Sequence, residues 1–221
     1  MKSAYHLNFE IVEIESEVYF VPIYAIHRPA CRAIMSGQYY EPETHKLVGR
    51  LLSERPGDLI HAGTFFGDML PSFSKKCPGI VYAFEPVLEN FLLAKLCIQR
   101  NELSNVILWN AGLGRSLSVA RVDTGKKERT HRGGVSEIAE TGQLTSLVTI
   151  DSMSLENVSV IQLDIEGFEL EALNGGLETI KKNRPTILIE DNSRNCAQFL
   201  ENLGYSKTGV IPGISIWQYV L

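Results

Sequence analysis

At 221 residues with 44% hydrophobic side chains, the chain is long enough to bury one substantial core and short for two full domains. Its formal net charge of -5 and pI near 5.6 argue against a general nucleic-acid binder, which carries a basic surplus. No run of about 18 apolar residues occurs, Met1 to Glu10 lacks a signal-type apolar core, and Cys31, Cys77, Cys97 and Cys196 form no CxxC pair, so a cytoplasmic, reducing setting without membrane, disulfide framework or zinc is expected.

From Phe9 to Pro22, apolar Ile11, Ile14, Val18, Phe20 and Val21 alternate with polar residues around a break at Glu15 to Glu17, which predicts an N-terminal β-hairpin. His27 to Tyr40 has weak periodicity. Glu43 to Ser53 reads as a helix closed by the breaker Arg55-Pro56-Gly57. Residues 1–56 are thus expected to form a hairpin and helical cap, and residues 57–221 the core of a single compact domain.

After Gly57, strand and helix alternate. Asp58 to Ala62 reads as a strand, followed by a glycine loop and a helix to Lys76; Ile80 to Phe84 is a strand, with a helix from about Val87 to Asn101. Val106 to Trp109 is a third strand, and Leu117 to Val122 a candidate that need not belong to a parallel core. Gly125 to Gly142 is the longest non-periodic stretch, and its basic residues Lys126, Lys127, Arg129, His131 and Arg132 fit either a solvated loop or a lid over an anionic acceptor. Val158 to Ile165 and Thr186 to Glu190 are strands, joined by a helical stretch from Phe168 to Lys182 that Gly175-Gly176 interrupts. A helix near Asn195 to Leu203 and a strand at Ile214 to Val220 close the chain. This alternation predicts parallel strands with right-handed crossovers, and Trp109 and Trp217 are expected in the core.

Ligands of such sheets bind at the carboxyl ends of the strands. There Ile60-His61-Ala62-Gly63-Thr64-Phe65-Phe66-Gly67-Asp68 leaves a strand and enters a helix. The glycines are spaced neither as GxGxxG nor as a phosphate loop, so the segment alone fits a cofactor loop and a tight turn equally well. Glu85, ending the next strand 22 residues after Gly63, is placed to accept hydrogen bonds from both ribose hydroxyls of a nucleoside, or else to favour a helix N-terminus behind Pro86. Asn110-Ala111-Gly112 adds a small polar turn at the same edge. Leu163-Asp164-Ile165-Glu166-Gly167-Phe168-Glu169 brings an apolar run to a close on two acids and a glycine.

Three strand ends carrying glycines, an acid and a small polar turn match the layout of S-adenosylmethionine-dependent methyltransferases. With Gly37-Gln38-Tyr39-Tyr40-Glu41-Pro42, Phe84-Glu85-Pro86, His131-Arg132-Gly133-Gly134-Val135-Ser136 and above all Asp164-Ile165-Glu166-Gly167-Phe168-Glu169, the chain resembles the FkbM family over roughly residues 37 to 192. The resemblance implies an α/β, Rossmann-like class I methyltransferase fold, a mostly parallel sheet whose last strand is antiparallel. It also implies O-methylation of a hydroxyl on a small molecule, sugar or natural product. Carried onto matching positions, Gly63, Thr64 and Gly67, with Phe65 between them, would wrap the methionine and ribose of S-adenosylmethionine. Glu85 and Pro86 would hold the ribose, and Asn110 and Ala111 would border the adenine. The family's first loop usually opens with an acid that faces the methionine end; this chain has His61 there, and Asp68, one step beyond Gly67, reads either as a compensating charge or as a plain helix N-terminal acid.

Methyl transfer to a weakly acidic hydroxyl requires an in-line acceptor and loss of a proton, by a general base or with a metal. Asp164 and His61 are the candidate catalytic groups, Asp164 also facing the cofactor, while His27, His45 and His131 read as ordinary polar residues. Asp164, Glu190 and Asp191, on adjacent strand ends, could offer oxygen ligands to Mg²⁺. Tyr39, Tyr40 and Glu166 are candidate acceptor contacts. The hairpin could serve as a homodimer surface. Two other readings stay open: a catalytically silent binding or scaffold module, for which His61 argues, and a nicotinamide oxidoreductase, against which the missing GxGxxG argues.

Overall fold

The computed structural model describes residues 7–125, 137–190 and 194–220. A hairpin of β1 (Phe9–Ile14) and β2 (Glu17–Pro22) leads through α1 (Pro29–Met35) and α2 (Pro42–Glu54) into the alternating region. That region comprises β3 (Asp58–Ala62), α3 (Leu70–Lys76), β4 (Val81–Phe84), α4 (Leu88–Arg100) and β5 (Val106–Trp109). Four strands follow, β6 (Ala111–Leu113), β7 (Ser118–Asp123), β8 (Glu137–Ala139) and β9 (Gln143–Val148). The chain then forms β10 (Val158–Leu163), α5 (Glu169–Asn174), α6 (Leu177–Asn183), β11 (Thr186–Ile189), α7 (Arg194–Asn202), β12 (Tyr205–Ile211) and β13 (Ile214–Tyr219).

The central sheet has the order β12-β13-β11-β10-β3-β4-β5. The five strands from β11 to β5 are parallel, and β13 runs antiparallel to both β11 and β12, as a class I methyltransferase sheet requires. Helices on both faces explain the near-continuous apolar runs: every residue of β10 is buried. Ile60, Phe84, Ile161, Leu163 and Ile187 face a core completed by Leu173, Ile180 and Leu200 from α5, α6 and α7. Leu59, Val81, Val160 and Leu188 face Leu47, Leu51, Leu70 and Phe73 from α2 and α3. The hairpin is not a loose appendage. Tyr19, Phe20 and Val21 pack with Cys31 and Ile34 of α1 against Phe65, Phe66, Leu93 and Cys97, so the cap shares a core with the glycine loop.

Three features depart from the sequence expectation. The weakly periodic segment before α2 contains α1, which starts on a proline and buries only Ala30, Cys31 and Ile34, too short a stripe to register as periodicity. The region after β5 is a second sheet, β6-β9-β7-β8, rather than one candidate strand and a long loop. β12 is largely exposed and exists because β13 pairs with it, so its sequence carries little apolar signal. Residues 126–136, holding the basic cluster, lie outside the described residues. Of the two tryptophans, Trp217 is buried, but Trp109 is 41% exposed on the edge strand and stacks over Phe84. Among the described residues no helix is long and apolar enough to cross a membrane.

The chain leaves β3 toward β4 on one side and returns to β10 on the other, making the β3/β10 boundary the topological switch point, where open α/β sheets bind ligands. Here the Asp164 N–H donates to the Ala62 carbonyl at 3.1 Å, and the Gly63 and Thr64 N–H groups donate to the Phe84 carbonyl at 3.3 and 3.2 Å.

Candidate functional site

Two cavities open at this edge and meet at Gly63, Asp164 and Glu166. The first is a cleft with about 540 Å³ of empty space counting its open mouth. Gly63, Glu85 and Pro86 line it on the strand ends, and Gly112, Leu113, Val122 and Leu147 wall it from the second sheet. The second encloses about 680 Å³ and is polar, with His61, Asp68 and Gln162 on a buried floor and Arg28, Tyr40, Glu166 and Glu190 nearer the rim.

Gly63 is what lets the two strand ends close on each other. Its φ is +93°, and a Cβ there would stand 1.9 Å from the Asp164 carbonyl oxygen, a clash with backbone that no rotamer relieves. Gly67, at φ +87°, instead packs on α4, where a Cβ would come within 3.2 Å of Ala94 Cα. Between them Thr64 is fully buried, and its Oγ1 finds no partner among the described residues. Phe65, a non-glycine residue at φ +51°, directs its N–H to Glu85. Glu166, which lines both cavities, is likewise left-handed at φ +54°.

Glu85 is only 4% exposed. Its Oε2 accepts from the Phe65 N–H at 2.8 Å, and its Oε1 from the Val87 N–H at 2.8 Å and the Asn90 amide at 3.3 Å. Burial pushes its pKa up to about 8 against the pull of these donors. Two carboxylate oxygens offer about four acceptor positions, of which these donors take three.

At position 61 a neutral imidazole replaces the usual acid. His61 is 2% exposed, and burial lowers its pKa to about 4. Its Nδ1–H donates to Gln162 Oε1, a partner in register on the adjacent strand, and its ring meets Phe73 edge-on. The tautomer this bond requires leaves Nε2 as a bare acceptor, with no partner among the described residues. Asp68, equally buried, has its pKa raised to about 7, chiefly by desolvation. Asp164 lies within hydrogen-bonding reach of Glu190, and burial, that contact and the charges of Glu190, Glu41 and Glu166 together hold its carboxyl well above the usual range. Among the described residues no group of three His, Cys, Asp or Glu side chains is placed to hold a metal; Asp191 lies outside them.

The remaining expected contacts divide. Tyr40 lines the second cavity and Glu166 both, whereas Tyr39 turns away into a groove with Glu15, Glu17 and Lys75 and packs against His45. Asn110 does not face the first cavity. Its amide donates to the Glu85 and Pro86 carbonyls at 2.9 and 3.3 Å and braces that turn. Ala111 is buried without lining it; the wall falls to Gly112 and Leu113. Glu169, which closes the acidic motif, accepts from the Ile165 and Gly167 N–H groups at 3.0 and 3.2 Å and holds the turn that presents Asp164 and Glu166. Sequence reasoning passed over Arg28 and Gln162. Only Gln162 carries a signal: it is a lone amide inside an otherwise apolar strand, where burial demands a partner.

The family model of the methyltransferase FkbM domain matches residues 61–207. Among solved structures, the chain is similar to methyltransferase FkbM from Methylobacillus flagellatus KT, at 18% identity and a TM-score of 0.56, over 74% of this chain and 44% of that one. It is also similar to a methyltransferase from Geobacter sulfurreducens, at 12% identity and a TM-score of 0.53, over 85% of this chain and 84% of that one. The chain thus spans less than half the length of the Methylobacillus protein, and at these identities the likeness is one of fold. No curated protein matches the chain.

Proposed function

The chain belongs to the FkbM methyltransferase family, and from that membership we propose that it transfers a methyl group from S-adenosylmethionine to a hydroxyl of a small molecule, sugar or natural product. What carries this reading is the pair of cavities joined at Gly63 and Asp164: an apolar one with a buried acid at its base, and a polar one beside it. The first suits a nucleoside. Gly63 lets the β3 and β10 ends close beneath it, Glu85 keeps one acceptor position for a ribose hydroxyl, and Pro86, Gly112, Leu113 and Leu147 offer an apolar slot for a flat base. When bound, the cofactor supplies an electrophilic methyl on a sulfonium.

The protein's own share is positioning and proton management. The Asn110 amide and the Phe65 N–H fix the Glu85 turn, and Glu169 fixes the turn carrying Asp164, so both acids sit on rigid backbone. Asp164, at the junction of the cavities, is the group to take the acceptor's proton. The raised pKa makes its carboxylate form a stronger base than a solvated one, and the Glu190 carboxyl lies within reach to share the proton. His61, neutral and locked to Gln162, orients rather than charges the site. A Mg²⁺-assisted variant would need Asp191 beside Asp164 and Glu190. A silent binding module remains the rival, because the neutral His61 removes a charge the family usually presents.

Calorimetry with S-adenosylmethionine and S-adenosylhomocysteine, followed by mass-spectrometric screening of acceptors for a gain of one methylene, tests the proposal. Saturable uptake and a methylated hydroxyl are the expected results. No uptake of either nucleoside would overturn the reading, and uptake with no methylated product from any acceptor would favour the silent module. Unchanged turnover in Asp164→Ala would remove Asp164 from the proton transfer.

A further inference from the structure

We infer that the N-terminal cap takes part in the cofactor site: Tyr24, outside the segment that the family model matches, positions the ribose-binding acid Glu85 by holding the amide of Asn90 against it. The inference rests on the methyl-transfer reading above and adds a positioning residue to its cofactor site.

Tyr24 is half-buried in the single 3₁₀ turn Ile23–Ala25 that follows β2. Its hydroxyl donates to Asn90 Oδ1 at 2.8 Å, across 66 residues of chain, and Asn90 Nδ2 donates in turn to Glu85 Oε1 at 3.3 Å. Asn90 is 1% exposed in the first turn of α4, so its amide depends on these protein partners. Chemistry fixes the direction of the relay. A carboxylate only accepts, so the amide nitrogen faces Glu85 and the amide oxygen faces Tyr24. The phenol stays a donor there, because burial and the charges of Glu89 and Glu85 raise its pKa.

Of the three donors on Glu85, only the Asn90 amide can be withdrawn without moving backbone. The Phe65 and Val87 N–H groups belong to the main chain, whereas the amide turns about an sp³–sp² bond whose torsional well is broad. Tyr24 removes that freedom. Its influence reaches the ribose through the charge on Glu85. Burial pushes this carboxyl up to about 8, the charge of Asp68 adds to the shift, and each donated hydrogen bond favours the ionised form. With the amide free to turn, Glu85 loses a donor, holds its proton more tightly and accepts less well from a ribose hydroxyl. A Tyr24 that only stabilised the cap would leave that hydroxyl's contribution untouched.

Calorimetry on the full-length protein compares S-adenosylhomocysteine with its 2′,3′-dideoxy analogue, and the ratio of the two dissociation constants reads the ribose hydroxyls alone. Tyr24→Phe removes one oxygen and keeps the ring. It is expected to shrink that ratio by about threefold or more, the scale of one net hydrogen bond, while the dideoxy analogue binds within about twofold of its wild-type affinity. An unchanged ratio in Tyr24→Phe overturns the inference, whether both nucleosides weaken together or neither does, and leaves the methyl-transfer reading standing. The inference is also overturned if the wild type binds both nucleosides equally. Failure of S-adenosylhomocysteine to bind strikes the underlying reading and the inference with it. If Tyr24→Phe does not fold, 3-fluorotyrosine at position 24 keeps the hydroxyl and reports by ¹⁹F NMR. S-adenosylhomocysteine is then expected to shift the resonance about twice as far as the dideoxy analogue or more, and equal shifts overturn the inference.

Discussion

Replacing Asp68 by Asn isolates one buried ionisation and turns it into a measurable slope. Asp68 sits in the floor of the second cavity with its pKa raised from 3.8 to about 7, principally by desolvation, with the charge of Glu41 adding and its own backbone N–H opposing. A carboxyl raised in the folded state favours folding in full below its unfolded pKa, and that contribution is lost as pH rises through the folded value. With the carboxyl at about 7 instead of 3.8, and about 1.36 kcal/mol for each tenfold change in proton affinity, ionising Asp68 costs the folded protein about 4 kcal/mol between pH 4 and pH 8. Asn keeps the shape and cannot ionise. Urea unfolding of both proteins at several pH values across that window gives the stability of each, and any pH-independent cost of the amide cancels in the change of their difference. The wild type is expected to lose stability relative to Asp68→Asn by about 4 kcal/mol as pH rises. A difference constant to within about 1 kcal/mol would show that Asp68 is solvated and refute the burial on which this reasoning stands.

Further consequences concern the neighbouring residues. Gly63→Ala puts a Cβ against the Asp164 carbonyl at a positive φ and should lower stability by at least about 1–3 kcal/mol for the backbone conformation alone, with loss of nucleoside binding; an unchanged urea midpoint would place the loop elsewhere. Glu85→Gln turns an amide nitrogen toward either the Phe65 or the Val87 N–H, and calorimetry should find S-adenosylmethionine bound about 10- to 100-fold more weakly, matching the roughly 1–3 kcal/mol of an unmet buried donor. His61→Phe leaves Gln162 Oε1 without its donor and should cost about 1–3 kcal/mol, part of which Gln162→Leu restores in the double variant; strictly additive costs would deny the pairing. Turnover should survive a strong chelator, whereas loss of activity restored by Mg²⁺ would point to a metal held by Asp164 and Glu190 with Asp191.

Local patterns along the chain already specify the alternation of strand and helix, the hairpin at the start, and which loops share one edge of the sheet. Apolar runs bounded by glycine and proline are local signals, and a strand buried on both faces, such as Val158–Leu163, must be almost wholly apolar wherever it lies. The same locality placed Gly63, Glu85 and Asp164 at strand ends, and the structure brings all three to one cavity. Whether a residue at that edge sees a ligand is not local. Asn110 braces the Glu85 turn while Gly112 lines the cavity, and Tyr39 and Tyr40, adjacent in the chain, look into different spaces. His61 offered a change of charge, but its meaning depends on Gln162, 101 residues away, which fixes the tautomer and leaves one nitrogen bare. β12 shows the same limit in the fold itself: an exposed segment becomes a strand because β13 supplies its hydrogen bonds. Tertiary packing decided these points because cavities, tautomers and edge pairing arise between segments distant in the chain, whereas the apolar period of a chain is written within each segment alone.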